Sequence, residues 1–137
     1  MAILHDKDNK GTFVKFTFLR CIPGEYEGCR LNFQYHKANK IIYDLDFGWT
    51  NITIKNYIEL TSVFPLEIQN GIQLNQLYTS FENHLYGLEW KELGIKNAYQ
   101  LRFFGSQQNF LINANYDNIR QFGNDLRLEW ERGLNLH

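Results

Sequence analysis

Alternation of apolar and polar side chains over residues 29–47 constrains the fold more than any other feature of the sequence. Two runs alternate in this way, the first with apolar residues Leu31, Phe33 and Tyr35, the second with Ile41, Tyr43, Leu45 and Phe47. A period of two is typical of strands that bury one face. Because only a few residues separate the two runs, they predict an antiparallel β-hairpin with one apolar face.

The same pattern predicts the register of this hairpin. A two-residue turn would place Leu31 opposite Asp46 and mix apolar with polar side chains. A three-residue loop over residues 37–39 keeps the faces separate. The predicted cross-strand pairs are then Leu31 with Leu45 and Arg30 with Asp46.

A second hairpin is predicted over residues 99–114. Apolar residues again alternate in two runs, and a four-residue loop over 105–108 aligns their apolar faces. The predicted pairs are Tyr99 with Ala114, Leu101 with Ile112, and Phe103 with Phe110.

Three other segments carry weaker patterns. Residues 12–19 predict a strand with Val14, Phe16 and Phe18 on one face. Residues 48–69 are rich in β-branched and aromatic residues, which favours strand structure. Residues 88–96 are predicted to be a connection, and this connection carries Trp90.

Two helices are predicted from apolar residues at helical spacing. The first begins at Asn70 as a capping residue and ends at Gly87; its apolar stripe consists of Leu74, Leu77, Tyr78, Phe81 and Leu85. The second is capped by Asp117, runs to about Arg132 and is stopped by Gly133; its buried stripe consists of Ile119, Phe122, Leu126 and Trp130.

The order of these elements predicts the fold class. No repeat or linker divides the chain, so residues 1–137 are expected to form a single α+β domain. Runs of antiparallel hairpins together with helices predict an antiparallel sheet with two main helices packed on one face.

Composition excludes several classes of function. The net charge is -1, from 14 basic and 15 acidic residues, and there is no Lys/Arg-rich stretch, so a nucleic-acid partner is not expected. No apolar run is long enough to span a membrane, and the first residues do not form a signal peptide. Two cysteines without an export signal indicate reduced thiols and a cytoplasmic protein.

Sequence motifs give no support for catalysis. Zinc-ligand spacings, phosphate-binding glycine motifs and nucleophile motifs are all absent, so no catalytic residue, metal site or cofactor is predicted. Cys21 and Cys29 flank a loop, and their spacing allows them to approach within disulfide distance. They are expected to be two semi-buried, reduced thiols. Asp44 and Asp46 share a strand face, where Asn32 and Arg30 are expected to pair with them.

The function predicted from these observations is that of a protein-binding module. Aromatic residues make up 16% of the chain, and those not needed in the core are suited to a partner interface. A small bacterial immunity or inhibitor protein, which occludes a cognate toxin in the cytoplasm, fits best as a class. The predicted partner-binding residues are Glu25, Tyr26, Glu27, Asp44 and Trp49.

Two alternatives come from other classes. The order of strands and helices resembles that of secretion-effector chaperones, except that those chaperones begin with a helix. The resemblance implies a chaperone-like binding protein. The second alternative is an enzyme or small-ligand binder with an aromatic-lined pocket formed by Tyr35, Tyr43 and Trp49.

Overall fold

Strands dominate the first half of the chain, and a long helix closes the second half. The structure is a computed structural model, and it describes residues 1–65, 76–78, 87–94, 97–104 and 109–136. In chain order the elements are β1 (Ala2–His5), β2 (Phe13–Cys21), β3 (Gly28–Lys37), β4 (Lys40–Thr50), α1 (Asn51–Ser62), β5 (Gln76–Tyr78), β6 (Gly87–Glu92), β7 (Tyr99–Phe104), β8 (Asn109–Ala114) and α2 (Tyr116–Asn135).

The described strands form two antiparallel sheets, in the orders β1-β2-β3-β4 and β5-β6-β7-β8. The sheets meet where β1 ends, because Lys7 N donates a hydrogen bond to Asn113 O in β8 at 2.7 Å. Helix α2 packs on β1 and β2, and α1 packs on α2. The α+β class predicted from the hairpin pattern is therefore confirmed.

The first hairpin has the predicted faces but a different register. Its turn contains two residues, Ala38 and Asn39, both in the left-handed region with φ of 52° and 65°. Leu31 lies opposite Phe47 and Arg30 lies opposite Gly48. The predicted three-residue loop and the pairs based on it are wrong.

A β-bulge explains the error. His36 pairs with Ile41 and Tyr35 pairs with Tyr43, so Ile42 is an extra residue without a partner in β3. This insertion moves the pairing by one position and returns the apolar side chains of β4 to the core face. Ile41 and Ile42 are both exposed at the bulge, although Ile41 was expected on the apolar face.

The second hairpin forms as predicted. Tyr99 pairs with Ala114, Leu101 with Ile112, and Phe103 with Phe110. The loop over residues 105–108 lies outside the described residues. No bulge interrupts the described ladder between β7 and β8, so the apolar alternation alone is enough to determine this register.

The structure corrects three of the other predicted elements. Residues 51–62 are helix α1, where a strand was expected. Residues 87–92 are strand β6, where a connection was expected. Residues 76–78 are strand β5 and pair with β6, so the predicted helix over 70–87 is wrong there; its remaining stripe, including Phe81, lies outside the described residues.

Helix α1 forms despite its β-branched residues because its ends and its buried face both suit a helix. Thr50 is the N-cap, and its Oγ1 accepts a hydrogen bond from Thr53 N at 3.2 Å. Ile54, Tyr57 and Ile58 are buried at helical spacing. Burial of this face outweighs the small helix penalty of Ile and Thr.

Helix α2 follows its prediction with shifted ends. Asn115 caps it in place of Asp117, and the helix continues through Gly133 to Asn135. The predicted residues Ile119, Phe122 and Leu126 are buried, whereas Trp130 is only partly buried against the core.

The glycines of α2 allow close packing. A Cβ atom at Gly123 would lie 2.5 Å from both Ser62 N and Thr61 Oγ1 of α1, and one at Gly133 would lie 2.6 Å from Cys21 Sγ. Glycine therefore lets α2 approach both α1 and β2 more closely than any other residue would.

Aromatic rings fill the centre of the molecule. Phe16 is fully buried, and its ring centroid lies 5.2–6.3 Å from those of six others: Phe33, Phe47, Trp49, Tyr57, Phe103 and Phe122. These rings come from both sheets and both helices, so a single aromatic cluster joins all the layers.

Candidate functional site

The loop between β2 and β3 carries three of the five predicted binding residues. Glu25, Tyr26 and Glu27 are all exposed, and Tyr26 is 88% exposed, the highest value among the large apolar side chains of the described residues. We refer to residues 22–27 as the Tyr26 loop. Its tip presents an aromatic ring between two carboxylates, as the sequence predicted.

Hydrogen bonds to Asn51 hold the Tyr26 loop in place. Asn51 Nδ2 donates to Ile22 O and to Gly24 O, both at 2.9 Å, and Asn51 N donates to Glu27 O at 2.9 Å. Asn51 Oδ1 in turn accepts from Trp130 Nε1 at 3.1 Å. The first residue of α1 therefore ties the loop to α2, a role that was not predicted from the sequence.

Beside the loop lies an open groove of about 270 Å³ on the outer face of the first sheet. Arg20 and Arg30 stand directly opposite each other on β2 and β3, and Gly48 lies opposite Arg30 on β4. Tyr26 and Glu27 also border it. We call this the Arg20–Arg30 groove.

The two arginines of the groove are exposed and have no polar partner among the described residues. Neither Arg20 nor Arg30 makes a hydrogen bond or an ion pair with any residue that the structure describes. Arg30 was expected to pair with Asp46, but the two-residue turn and the bulge in β4 together place it opposite Gly48. The two cysteines could have indicated the arginine pair from the sequence, because a register with Cys21 opposite Cys29 also places Arg20 opposite Arg30.

A second open cavity, of about 300 Å³, shares Arg20 with the groove. Arg20 lines both, and the second one is also bordered by the exposed residues Leu19 and Leu136 and by Phe18. Apolar surface therefore adjoins the cationic groove on the side of α2.

Trp49 does not belong to the exposed surface, although it was predicted there together with Tyr26. Its side chain is only 3% exposed, and its ring lies 4.8 Å from Tyr57 and 5.0 Å from Phe47 between centroids. Trp49 borders the groove from β4, but its ring belongs to the core face of the sheet. Alternation along β4 explains this, because Phe47 and Trp49 share the apolar face.

Asp44 is exposed on β4 but does not line the groove. Its carboxylate accepts hydrogen bonds from Asn32 Nδ2 at 2.5 Å and from Gln34 Nε2 at 3.1 Å. Asn32 Nδ2 also donates to Asp46 at 2.8 Å. The paired carboxylates thus have amide partners on β3, which matches the expected role of Asn32 but not that of Arg30.

The aromatic-lined pocket expected from Tyr35, Tyr43 and Trp49 does not form from these residues. Tyr35 and Tyr43 face each other on β3 and β4, and each ring centroid lies 4.9 Å from that of Phe110. Phe110 therefore packs against both tyrosines, and Trp49 lies in the core.

Cys21 and Cys29 face each other across β2 and β3 as free, buried thiols. Burial raises the pKa of both thiols. Both are therefore protonated at neutral pH, and a protonated thiol is a poor nucleophile and a poor metal ligand. This arrangement gives no support for thiol chemistry at this end of the sheet.

Side chains suited to metal binding do not cluster in the described part of the chain. Among those residues, no three His, Cys, Asp or Glu side chains are arranged to hold a metal ion. No described helix is both long and apolar enough to cross a membrane.

Comparison of the chain with protein-family models, with curated protein sequences and with solved structures finds no match.

Proposed function

We propose that this chain is a protein-binding module that neutralises a partner by covering part of its surface. The proposed class is a small bacterial immunity or inhibitor protein that meets its toxin in the cytoplasm. One observation carries the proposal, namely that Tyr26 is 88% exposed on a loop whose backbone Asn51 holds.

An exposed tyrosine on a fixed loop is well suited to binding. Its ring buries a large area with only two rotatable bonds, so tyrosine is enriched among the residues that dominate binding energy. Because Asn51 already fixes the Tyr26 loop, little loop entropy is lost when a partner binds.

The proposed interface is centred on the Tyr26 loop and extends along the Arg20–Arg30 groove to Leu19. Tyr26 supplies the aromatic anchor, and Leu19 supplies adjacent apolar area. Glu25 and Glu27 supply acidic groups, and the arginines supply basic ones. Charges of both signs in one patch favour a single orientation of the partner and exclude others by repulsion.

The experiment measures the affinity of the purified chain for a partner isolated from the native host, by isothermal titration calorimetry. We expect Tyr26→Ala to weaken binding by at least about 2 kcal/mol, or roughly 30-fold, as for an interface hot spot. Leu128→Ala is the control, because Leu128 is also an exposed apolar residue but lies on α2. Its affinity should equal that of the wild type.

The inhibitor function needs a second readout. The activity of the recovered partner should fall as the chain is added and level off once the two are equimolar. Equal affinity of Tyr26→Ala and wild type would show that the interface lies elsewhere. A partner that binds tightly and keeps its full activity would contradict the inhibitor class.

A further inference from the structure

The pair formed by Arg20 and Arg30 is the feature of this surface that the fold does not explain. The two residues are direct cross-strand neighbours in an antiparallel ladder, where side chains lie about 5 Å apart at Cβ. Like charges in such positions destabilise a sheet. Removing one of the two charges would make the fold more stable. A bound anion would compensate for their repulsion.

The other arginines of the chain are all used structurally. Each donates to an oxygen: Arg102 to Glu89, Arg120 to Phe64 O, Arg127 to Ser62 Oγ and Arg132 to Glu129. Arg20 and Arg30 are thus the two arginines without an acceptor among the described residues, and both border the same groove.

We propose that the Arg20–Arg30 groove binds the oxyanion of a phosphate monoester. A guanidinium offers parallel N–H donors to an oxyanion, and a single guanidinium can satisfy the two oxygens and one charge of a carboxylate. A phosphate group has three terminal oxygens and a charge of about -1.5 to -2 at pH 7, which matches two guanidinium groups.

The rest of the groove suits the remainder of such a ligand. Gly48 has no side chain and leaves room for the oxyanion opposite Arg30. Tyr26 can pack on an apolar or planar part of the ligand. Glu27 also borders the groove, so its carboxylate lowers the affinity for a free anion but can accept a hydrogen bond from a hydroxyl or amine of the ligand.

Anion binding by the groove does not depend on the proposed protein partner, and it can be tested on the isolated chain. Inorganic phosphate is the probe, titrated at pH 7.5 and constant ionic strength and followed by the backbone amide shifts of residues that border the groove. We expect saturable shifts at Arg30, Gly48 and Tyr26, with acetate binding at least tenfold more weakly than phosphate.

Variants with opposite expected effects make the test specific. Arg30→Gln should weaken phosphate binding at least tenfold, whereas Glu27→Gln should strengthen it. Lys15→Gln is the control, because it also removes one positive charge, from the same outer face of β2, but lies outside the groove. Its phosphate affinity should change by less than twofold.

Thermal denaturation shows whether Arg30→Gln is still folded, so that lost phosphate binding is not confused with unfolding. Without phosphate, Arg30→Gln should have a thermal midpoint equal to or above that of the wild type, because the like-charge pair is gone. The proposal is overturned by equal phosphate affinity of Arg30→Gln and wild type, by acetate binding as tight as that of phosphate, or by no saturable shift. These results test anion binding by the groove alone, whereas partner binding is tested separately with Tyr26→Ala.

Discussion

The side chain of Asn51 forms hydrogen bonds with groups from other parts of the chain. Its amide group bonds Ile22 O, Gly24 O and Trp130 Nε1, and it is largely buried at the start of α1. A buried polar side chain with all its bonds made holds several elements in one arrangement. The position of the Tyr26 loop therefore depends on a largely buried residue that lies outside the loop.

Removing this side chain should destabilise the whole chain. We expect Asn51→Ala to lower the free energy of unfolding by about 1–3 kcal/mol, because Trp130 Nε1 and two carbonyl oxygens lose their partner. Urea denaturation monitored by tryptophan fluorescence provides the measurement. Asn56→Ala, an exposed position of the same helix, is the control and should leave stability unchanged or slightly raised. Equal stability of the two variants would contradict this role for Asn51.

Individual site residues could be predicted only where local sequence decides exposure. A short loop after Pro23 with two carboxylates is exposed in almost any fold, so Glu25, Tyr26 and Glu27 were correctly placed on the surface. Trp49 was not, because its exposure depends on which face of β4 it occupies. Asn51 was missed because its partners are up to 79 positions away along the chain.

At the scale of the elements, the packing of α1 on α2 depends on Gly123. A Cβ atom at Gly123 would clash with Thr61 and Ser62, so Gly123→Ala should push α1 and α2 apart. Overpacking of this kind costs about 1–3 kcal/mol, more than the roughly 1 kcal/mol that alanine adds to helix stability. We expect a net loss of stability in thermal denaturation.

Gly94 provides a control that separates the effect of a steric clash from that of replacing glycine by alanine. A Cβ atom added at Gly94 would have no neighbouring atom within 4 Å, so Gly94→Ala should change the free energy of unfolding by less than about 0.5 kcal/mol. If Gly123→Ala were as stable as Gly94→Ala, close helix packing would not be what requires glycine.

The turn of the first hairpin contains an unfavourable residue. Ala38 adopts a φ of 52°, and the left-handed region costs a residue with a Cβ atom about 1–2 kcal/mol. Ala38→Gly should therefore raise stability by about 0.5–1 kcal/mol, since the flexible unfolded chain offsets part of the gain. Ala38→Val should lower it, and differential scanning calorimetry of both variants provides the measurement. The opposite ranking would mean that the turn is not of this type.

The two hairpins show which elements can be read from sequence. Alternation determines which residues share a face, and it did so in both hairpins. It determines the register only when no bulge is present, and the bulge at Ile42 has no signature in composition or spacing. Helix α1 was predicted as a strand because Ile, Thr and Tyr favour strands locally, whereas its burial against α2 is set by the tertiary fold.

At the scale of the whole molecule, Asp6 links the two sheets. Its carboxylate accepts hydrogen bonds from Asp8 N at 2.8 Å and Asn9 N at 2.9 Å on its own side, and from Asn113 N of β8 at 3.0 Å. Asp6 is only 9% exposed. Hydrogen bonds to a buried charged acceptor are among the stronger ones in proteins.

Loss of this carboxylate should weaken the junction of the sheets. We expect Asp6→Ala to lower the free energy of unfolding by about 2–3 kcal/mol, the upper range for bonds to a charged group, as measured by urea denaturation. Asp6→Asn keeps one carbonyl oxygen as an acceptor and should lose less. A variant Asp6→Ala with wild-type stability would show that the sheets are joined mainly by the aromatic cluster around Phe16.

The way the Tyr26 loop is held affects how this surface can change by mutation. Asn51 binds only backbone atoms of the loop, and the side chains at positions 25, 26 and 27 are exposed. Substitutions there alter what the loop presents without altering its path. Three adjacent positions can therefore change in charge, size and shape while the fold stays intact, so under the proposed function one scaffold would yield a series of binders with different partners.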